Sequence, residues 1–342
     1  MQLFQPGPVV WIQELLGPGW EGVLGIVSAL GSVWGILLAA GLALWIFGRP
    51  ALHAVLVVVL VEAVAKKALA AAVPIPRPEA GPVIKYETVT GVGSFPSGHV
   101  STATAVWAAL TFSGRIPLVV PLVVGGAVGL SRLYRGVHWL TDVVAGLGLG
   151  LLMAAAGVWL YQRLDGRIES LSSRGWAGLG AALVGVAGIQ VAFFLGSDNP
   201  FAWNGAGFLA GLGVALPALH RWVGDVPRPG GAGVMARRCL AGVGGLALLF
   251  TPGHLWTGAP MGVHGFLAFC GTVWTLVGAP LAFRRWPSVF GGRPPGRQAA
   301  AAKHVSTAAP PSPGSHPSRA RGSGTAGCGE TARHPTGRSS RG

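Results

Sequence analysis

Charge is what this chain has least of. Lys, Arg, Asp and Glu make up 11% of its 342 residues, against about 25% in a typical soluble domain, and 51% are hydrophobic. That excludes an ordinary soluble globular domain. With several apolar runs of about 20 residues, the composition reads as an all-α polytopic membrane helix bundle. Cysteine is also scarce. Cys239, Cys270 and Cys328 have no paired spacing, which excludes a disulfide framework and a thiolate zinc site. No cluster of carboxylates points to a metal, and no cofactor is expected. Residues 1–20 lack a basic n-region, so no cleavable signal peptide is expected and the first apolar run stays as a span.

What charge there is lies unevenly. Between Trp286 and Gly342 stand eight Lys or Arg and one acid, Glu330. This surplus accounts for half of the chain's net +14, in a tail of Pro, Ser, Gly and Ala. Such a tail buries too little apolar surface to order itself. It suits anionic lipid headgroups, and without interleaved aromatics it is not expected to bind nucleic acid.

Nine spans are expected, at roughly 26–47, 51–73, 99–114, 116–131, 140–161, 176–196, 202–220, 238–255 and 262–283. The third and fourth are short for about 30 Å of hydrocarbon. Residues 8–16 suit a short helix lying in the interface. One set of connections carries Arg49, Arg115, Arg163, Arg167, Arg174, Arg221, Arg228, Arg237, Arg238, Arg284 and Arg285. The opposite set includes 1–25, 196–205 and 251–262, all without Lys or Arg. The positive-inside rule therefore puts the N-terminus outside and the tail in the cytoplasm.

Two outer connections break this rule. Residues 74–98 and 131–139 carry Arg77, Lys85, Arg132 and Arg135, and Lys66 and Lys67 stand just before. An anionic ligand is the natural reason for cations on that side. Alternating topology brings Lys67, Arg77, Ser97, His99, Arg132, His138 and Asp142 to this one face. Two Arg and a Lys offer fixed charge and forked donors to phosphate oxygens. Ser97, Gly98 and His99 begin a helix, whose free N–H groups and dipole favour an anion, and Gly98 lets backbone come close. His138 and Asp142 lie four apart, so on a helix the carboxylate can hold one imidazole nitrogen while the other presents a lone pair. His99 is left to protonate the departing oxygen. Taken singly, each feature has a plainer use. A lysine snorkels, "PSG" starts a helix, and His138–Asp142 is an i,i+4 pair. Those uses do not explain why all these groups gather on the face otherwise poor in cations.

These residues resemble the type 2 phosphatidic acid phosphatase (PAP2) superfamily, which shares its site with vanadium haloperoxidases. Of the pattern K-x6-R-P, P-S-G-H and S-R-x5-H-x3-D, the second piece stands as Pro96-Ser97-Gly98-His99. The third stands as Ser131-Arg132, His138 and Asp142. The first departs: Arg77-Pro78 is present, but the position the spacing expects is Ala70 and the nearest upstream lysine is Lys67. Three extra residues set Lys67 about 4.5 Å further back on a similar helix face. The resemblance covers about residues 50–162. It implies a lipid phosphatase needing no metal, in which His138 attacks phosphorus, Asp142 orients it and His99 protonates the leaving group. Lys67, Arg77, Ser97, Gly98 and Arg132 would bind phosphate.

The organisation expected is an external segment at 1–25, a PAP2-like catalytic core at 26–162, additional transmembrane helices at 163–285 and a disordered basic tail at 286–342. The expected partners are membrane lipids and a lipid phosphate or polyprenyl diphosphate as substrate, with phosphotransfer to an alcohol as a variant. The alternatives from other classes are a non-catalytic lipid-binding scaffold and an anion transporter. Residues 176–283 carry no constellation. His254 and His264, with Trp256 between them, read as interfacial residues.

Overall fold

A computed structural model describes residues 5–87, 93–196, 199–256 and 258–291, with the side chains of Gly253 and His254 left aside. The basic tail beyond residue 291, His254 and Cys328 thus lie outside the described residues. The described residues form one compact unit.

The named elements among the described residues are all helices, with no named strand. α1 (Gly7–Leu16) is the short N-terminal helix that the apolar stretch at 8–16 predicts. α2 (Glu21–Ala29) and α3 (Val33–Leu42) follow, the latter running on through a π turn, Ala43–Phe47. Ser32 ends the break between α2 and α3 by accepting from the Trp34 N–H. α4 (Arg49–Ala72), α5 (Gly98–Phe112), α6 (Val119–Tyr134) and α7 (Leu140–Glu169) make the segment that carries the motifs. α8 (Ser173–Phe193), α9 (Pro200–Ala218, extended by a π turn to Val223) and α10 (Ala232–Leu255) follow. α11 (Met261–Val273) runs through a π turn into α12 (Ala279–Arg285), and α13 (Pro287–Phe290) closes the described chain.

All nine apolar runs fall in helices, but fewer meet the length and composition of a span. Five do so alone: Leu140–Glu169, Ser173–Phe193, Pro200–Val223, Ala232–Pro252 and Met261–Arg285. A sixth is the pair Glu21–Ala29 and Val33–Phe47, bent by 56° at its break. α4 carries Arg49, Glu62, Lys66 and Lys67. α5 and α6, at 15 and 16 residues, rise only about 23–24 Å. The chain is a multi-pass membrane protein in which α4 is too charged, and α5 and α6 too short, to meet that length and composition.

α5 lies at the centre, packed on α4, α6 and α7. It is buried almost all round through small residues, among them Ala103, Ala105, Ala108 and Ala109. Lipid tails are as apolar as Leu, so close packing of small residues, not escape from water, holds such helices together. One core, around Trp45, Leu52, Leu110, Leu216 and Leu276, joins the motif-bearing helices to the later ones. A second, around Val9, Leu24, Val83, Val100, Tyr134 and Val143, underlies the ends of α5–α7 that carry the motifs. At the opposite ends, His53 of α4 meets His220 after α9 at 3.3 Å between their Nε2 atoms, with Trp176 of α8 stacked on His220.

Candidate active site

The site is built on three helix ends and two connections. Ser97 caps α5 in extended conformation, and its own N–H donates to the Asp142 carbonyl at 3.0 Å, tying α5 to the start of α7. The first N–H groups of α5 have no intrahelical acceptor, so Gly98 and His99 present amides at that end. Gly98 also leaves room for a lysine: a Cβ there would stand 3.2 Å from Lys66 Cδ.

The turn between α6 and α7 carries the candidate nucleophile. Gly136 adopts φ 68°, a left-handed conformation that suits a residue without Cβ, and turns the chain so that His138 points inward. His138 is buried and Asp142 fully so. Asp142 Oδ2 accepts from the Trp139 N–H at 2.8 Å and faces His138 Nδ1 at 3.3 Å. On the other side of the ring, Arg77 Nη1 lies 3.4 Å from His138 Nε2 and donates to the Val137 carbonyl at 2.8 Å. A guanidinium can only donate, so Nε2 is the bare nitrogen and Nδ1 carries the proton toward Asp142. Burial first, then the positive charge of Arg132 and Arg77, pushes the His138 pKa down to about 4 against the pull of Asp142. The ring is neutral at pH 7.

Among the described residues, the buried side-chain atoms around it without a partner include three donors, Arg77 Nε, Ser97 Oγ and Arg132 Nε, and one acceptor, Asp142 Oδ1. Buried donors are rarely left unpaired, and an anion is one partner that would satisfy these three. Arg132 is buried on α6 and interacts electrostatically with Arg77 and His99. His99, in the first turn of α5, is within electrostatic reach of His138, Lys66 and Arg77 as well. The structure thus brings together Arg77, Ser97, Gly98, His99, Arg132, His138 and Asp142.

It does not bring in Lys67. That side chain is exposed, and the lysine turned to the site is Lys66. One residue is about 100° of helix rotation, so the neighbour of a site lysine points elsewhere. Lys66 Nζ donates to Thr102 Oγ1 at 2.8 Å and pairs with Glu62 at 3.2 Å. Glu62 is buried and also accepts from Ser101 Oγ at 2.7 Å. Glu62 escaped notice because it lies mid-helix outside any motif. Its one signal is the i,i+4 spacing to Lys66.

The other outer cations have partners within the protein. Lys85 donates to the carbonyls of Pro78 and Gly136, clamping the 74–86 connection onto the α6–α7 turn. Arg135 Nε donates to Glu87 at 2.5 Å. Glu87 also lies across Arg132, accepting from Nη1 at 2.9 Å and Nη2 at 3.0 Å. Burial raises the Glu87 pKa, but the charge and hydrogen bonds of Arg132 and Arg135 outweigh it and hold the carboxyl below its usual range.

Above His99 opens a cavity of about 310 Å³. Its far wall comes from α9, α10 and α11, and it includes His264, which the sequence placed merely at the interface. The helices read as carrying no constellation therefore reach the site.

Residues 47–165 match the PAP2 superfamily model. Phosphatidylglycerophosphatase B of Bacillus subtilis (strain 168) is 32% identical over 88 residues, covering 22% of this chain and 41% of the relative. Lipid A 1-phosphatase of Porphyromonas gingivalis is 35% identical over 75 residues, 21% of this chain and 17% of its own. Decaprenylphosphoryl-5-phosphoribose phosphatase of Mycobacterium tuberculosis (strain CDC 1551 / Oshkosh) is 40% identical over 62 residues, 18% and 34%. The chain thus spans less than half the length of each of these curated relatives. The crystal structure of a transmembrane PAP2 type phosphatidylglycerolphosphate phosphatase from Bacillus subtilis aligns at 24% identity with a TM-score of 0.36, covering 48% of this chain and 88% of that one.

Proposed function

We propose, for a chain whose residues 47–165 match the PAP2 superfamily model, that it is a membrane phosphatase of that superfamily hydrolysing a lipid phosphate or polyprenyl diphosphate at the outer membrane face, through a phosphohistidine on His138. The observation that carries this reading is the state of His138. Its ring is neutral, held through Nδ1 by Asp142, with Nε2 bare beside Arg77. Binding alone needs no such oriented nucleophile.

Phosphate enters among Lys66, Arg77, Arg132, Ser97 and the amides that begin α5. The orphan Nε atoms and the Ser97 hydroxyl gain acceptors there. His138 Nε2 forms a bond to phosphorus while the ester P–O bond breaks, and His99 passes its proton to the departing oxygen. The cations neutralise charge on the equatorial oxygens. Neutral His99 then takes a proton from water as the water attacks phosphorus. The N–P bond breaks, and inorganic phosphate and free His138 result. The protein's own cations supply the charge that a metal would otherwise bring, so the reaction is proposed to run without one. Within this reading, residues 26–162 are the catalytic core, and the loop charges turn the site outward with the tail in the cytoplasm.

Purified protein in detergent, with chelator present, should release phosphate from at least one of phosphatidic acid, phosphatidylglycerol phosphate and a polyprenyl diphosphate, and vanadate should block it. His138→Ala should abolish both turnover and acid-labile phosphoryl-enzyme. Full turnover by His138→Ala would refute the mechanism. Release that is lost with chelator and restored by a divalent cation would refute metal independence.

A further inference from the structure

Lys66 reaches the start of α5 from further back than the motif spacing provides. Position 70, where that spacing expects a lysine, is Ala. Lys66 stands four residues earlier, about 6 Å back along α4. Its side chain runs beside Gly98: a Cβ there would meet Lys66 Cδ at 3.2 Å, Cε at 3.8 Å and Nζ at 4.0 Å. A lysine stem is long and flexible, and this side chain is 25% exposed, so solvent competes for its head.

Like charge pushes the head in the same direction. Lys66, Arg77 and Arg132 all lie within electrostatic reach of the one His99 ring, and cations gathered so closely repel one another. The opposing hold comes from α4 and α5. Lys66 Nζ donates to Thr102 Oγ1 at 2.8 Å and stands 3.2 Å from both oxygens of Glu62. Glu62 is buried and accepts from Ser101 Oγ at 2.7 Å and Thr102 Oγ1 at 3.3 Å, which fixes the carboxylate in turn. An ammonium has three donors. Thr102 and Glu62 take two, and one is left for an incoming anion. The neighbouring cations are held as well, Arg77 by the Val137 carbonyl and Arg132 by Glu87 and Ser28.

We propose that Glu62 and Thr102 are positioning residues that act through Lys66, fixing its ammonium at the start of α5 before phosphate arrives. This rests on the phosphatase reading above and deepens it. A cation placed in advance loses less freedom when the anion binds.

The test is a double-mutant cycle on the full chain in detergent. The probes are vanadate and whichever of phosphatidic acid, phosphatidylglycerol phosphate and a polyprenyl diphosphate the wild type turns over fastest. Glu62→Gln keeps the size and one acceptor oxygen but removes the charge. It should lower kcat/KM about three- to tenfold and weaken vanadate inhibition by a similar factor. An inhibition constant does not depend on how much of the sample is folded, so it separates positioning from loss of structure. In a Lys66→Ala background the same change should cost less than twofold, because the group it acts through is gone. Thr102→Val, which removes the other acceptor at nearly constant volume, should repeat both results and serves alone if Glu62→Gln does not fold. Equal losses with and without Lys66 would overturn the inference, as would lower turnover with unchanged vanadate inhibition. A Lys66→Ala variant as active as wild type would also overturn it, and would leave the phosphatase reading standing. A wild type inactive on all three lipids would sink both.

Discussion

Glu87 sits on Arg132 in the way a phosphate would: two carboxylate oxygens meet two guanidinium nitrogens at 2.9 and 3.0 Å, with Arg135 closing from the side at 2.5 Å. Forked donors suit a carboxylate and a phosphate alike, so Glu87 competes with the proposed substrate for the same group. Glu87→Gln removes the competing charge. It should tighten inhibition by vanadate about ten- to a hundredfold, the scale of one charge-assisted bond. Inhibition constants measured on both proteins decide it; unchanged or weaker inhibition counts against competition.

The two adjacent lysines should behave differently. Lys66→Ala removes the cation turned to α5 and should lower kcat/KM about ten- to a hundredfold, as for a lost hydrogen bond to a charged group. Lys67→Ala removes an exposed side chain and should change kcat/KM less than twofold. Side-by-side kinetics on one lipid phosphate check this. The reverse order would restore Lys67 as the phosphate ligand.

Asp142→Asn keeps the shape beside His138 Nδ1 but no longer guarantees an acceptor there. The ring loses its orienting partner, and turnover should fall about a hundredfold or more. Because Asp142 acts through His138, the burst of phosphoryl-enzyme should slow in step with turnover. A normal burst with slow turnover would place the role of Asp142 elsewhere.

In the proposed mechanism His138 must be neutral to attack, and burial pushes its pKa down to about 4 from the ordinary 6.5. Its lone pair therefore survives as pH falls through 6.5 and is lost only as pH falls through about 4. The pH dependence of kcat/KM reports groups of the free enzyme. Once the substrate's own phosphate ionisation, titrated separately, is removed, no enzyme group with the nucleophile's signature should appear near 6.5. An acid limb at 6.5 that moves in Asp142→Asn would contradict the buried neutral ring.

Glu62→Ala strands Lys66, Ser101 and Thr102 around a vacated carboxylate position. Breaking a buried pair on one side costs about 3–5 kcal/mol, so thermal unfolding in detergent should come at clearly lower temperature. An unchanged unfolding temperature would mean that water refills the site without penalty.

The pieces legible in the sequence were those whose chemistry is local. The pairing of His138 with Asp142 and the helix start at Pro96–His99 were read from spacing; the structure keeps the helix start and the contact, but His138 stands in the turn before α7 and not on the helix. The helices themselves followed from apolar runs. Their number as spans did not, because α5 and α6 are too short and α4 too charged for the count to be read from hydropathy. The identity of the site lysine was missed for a geometric reason: Lys66 and Lys67 are neighbours in sequence and about 100° apart around α4.

The sequence by itself determined the chemical repertoire: two histidines, one orienting carboxylate, arginines for an oxyanion, and a chain too apolar to live outside a membrane. Only the tertiary structure decided which lysine faces the start of α5, that Glu87 lies on Arg132, and that Phe201, Asn204 and His264 line the pocket from a segment the motifs never reach. Motif spacing is set by the helical repeat within one element. The meeting of α9 and α11 with α5 is set by how small residues let helices pack, and a pattern along one strand of sequence carries no record of that.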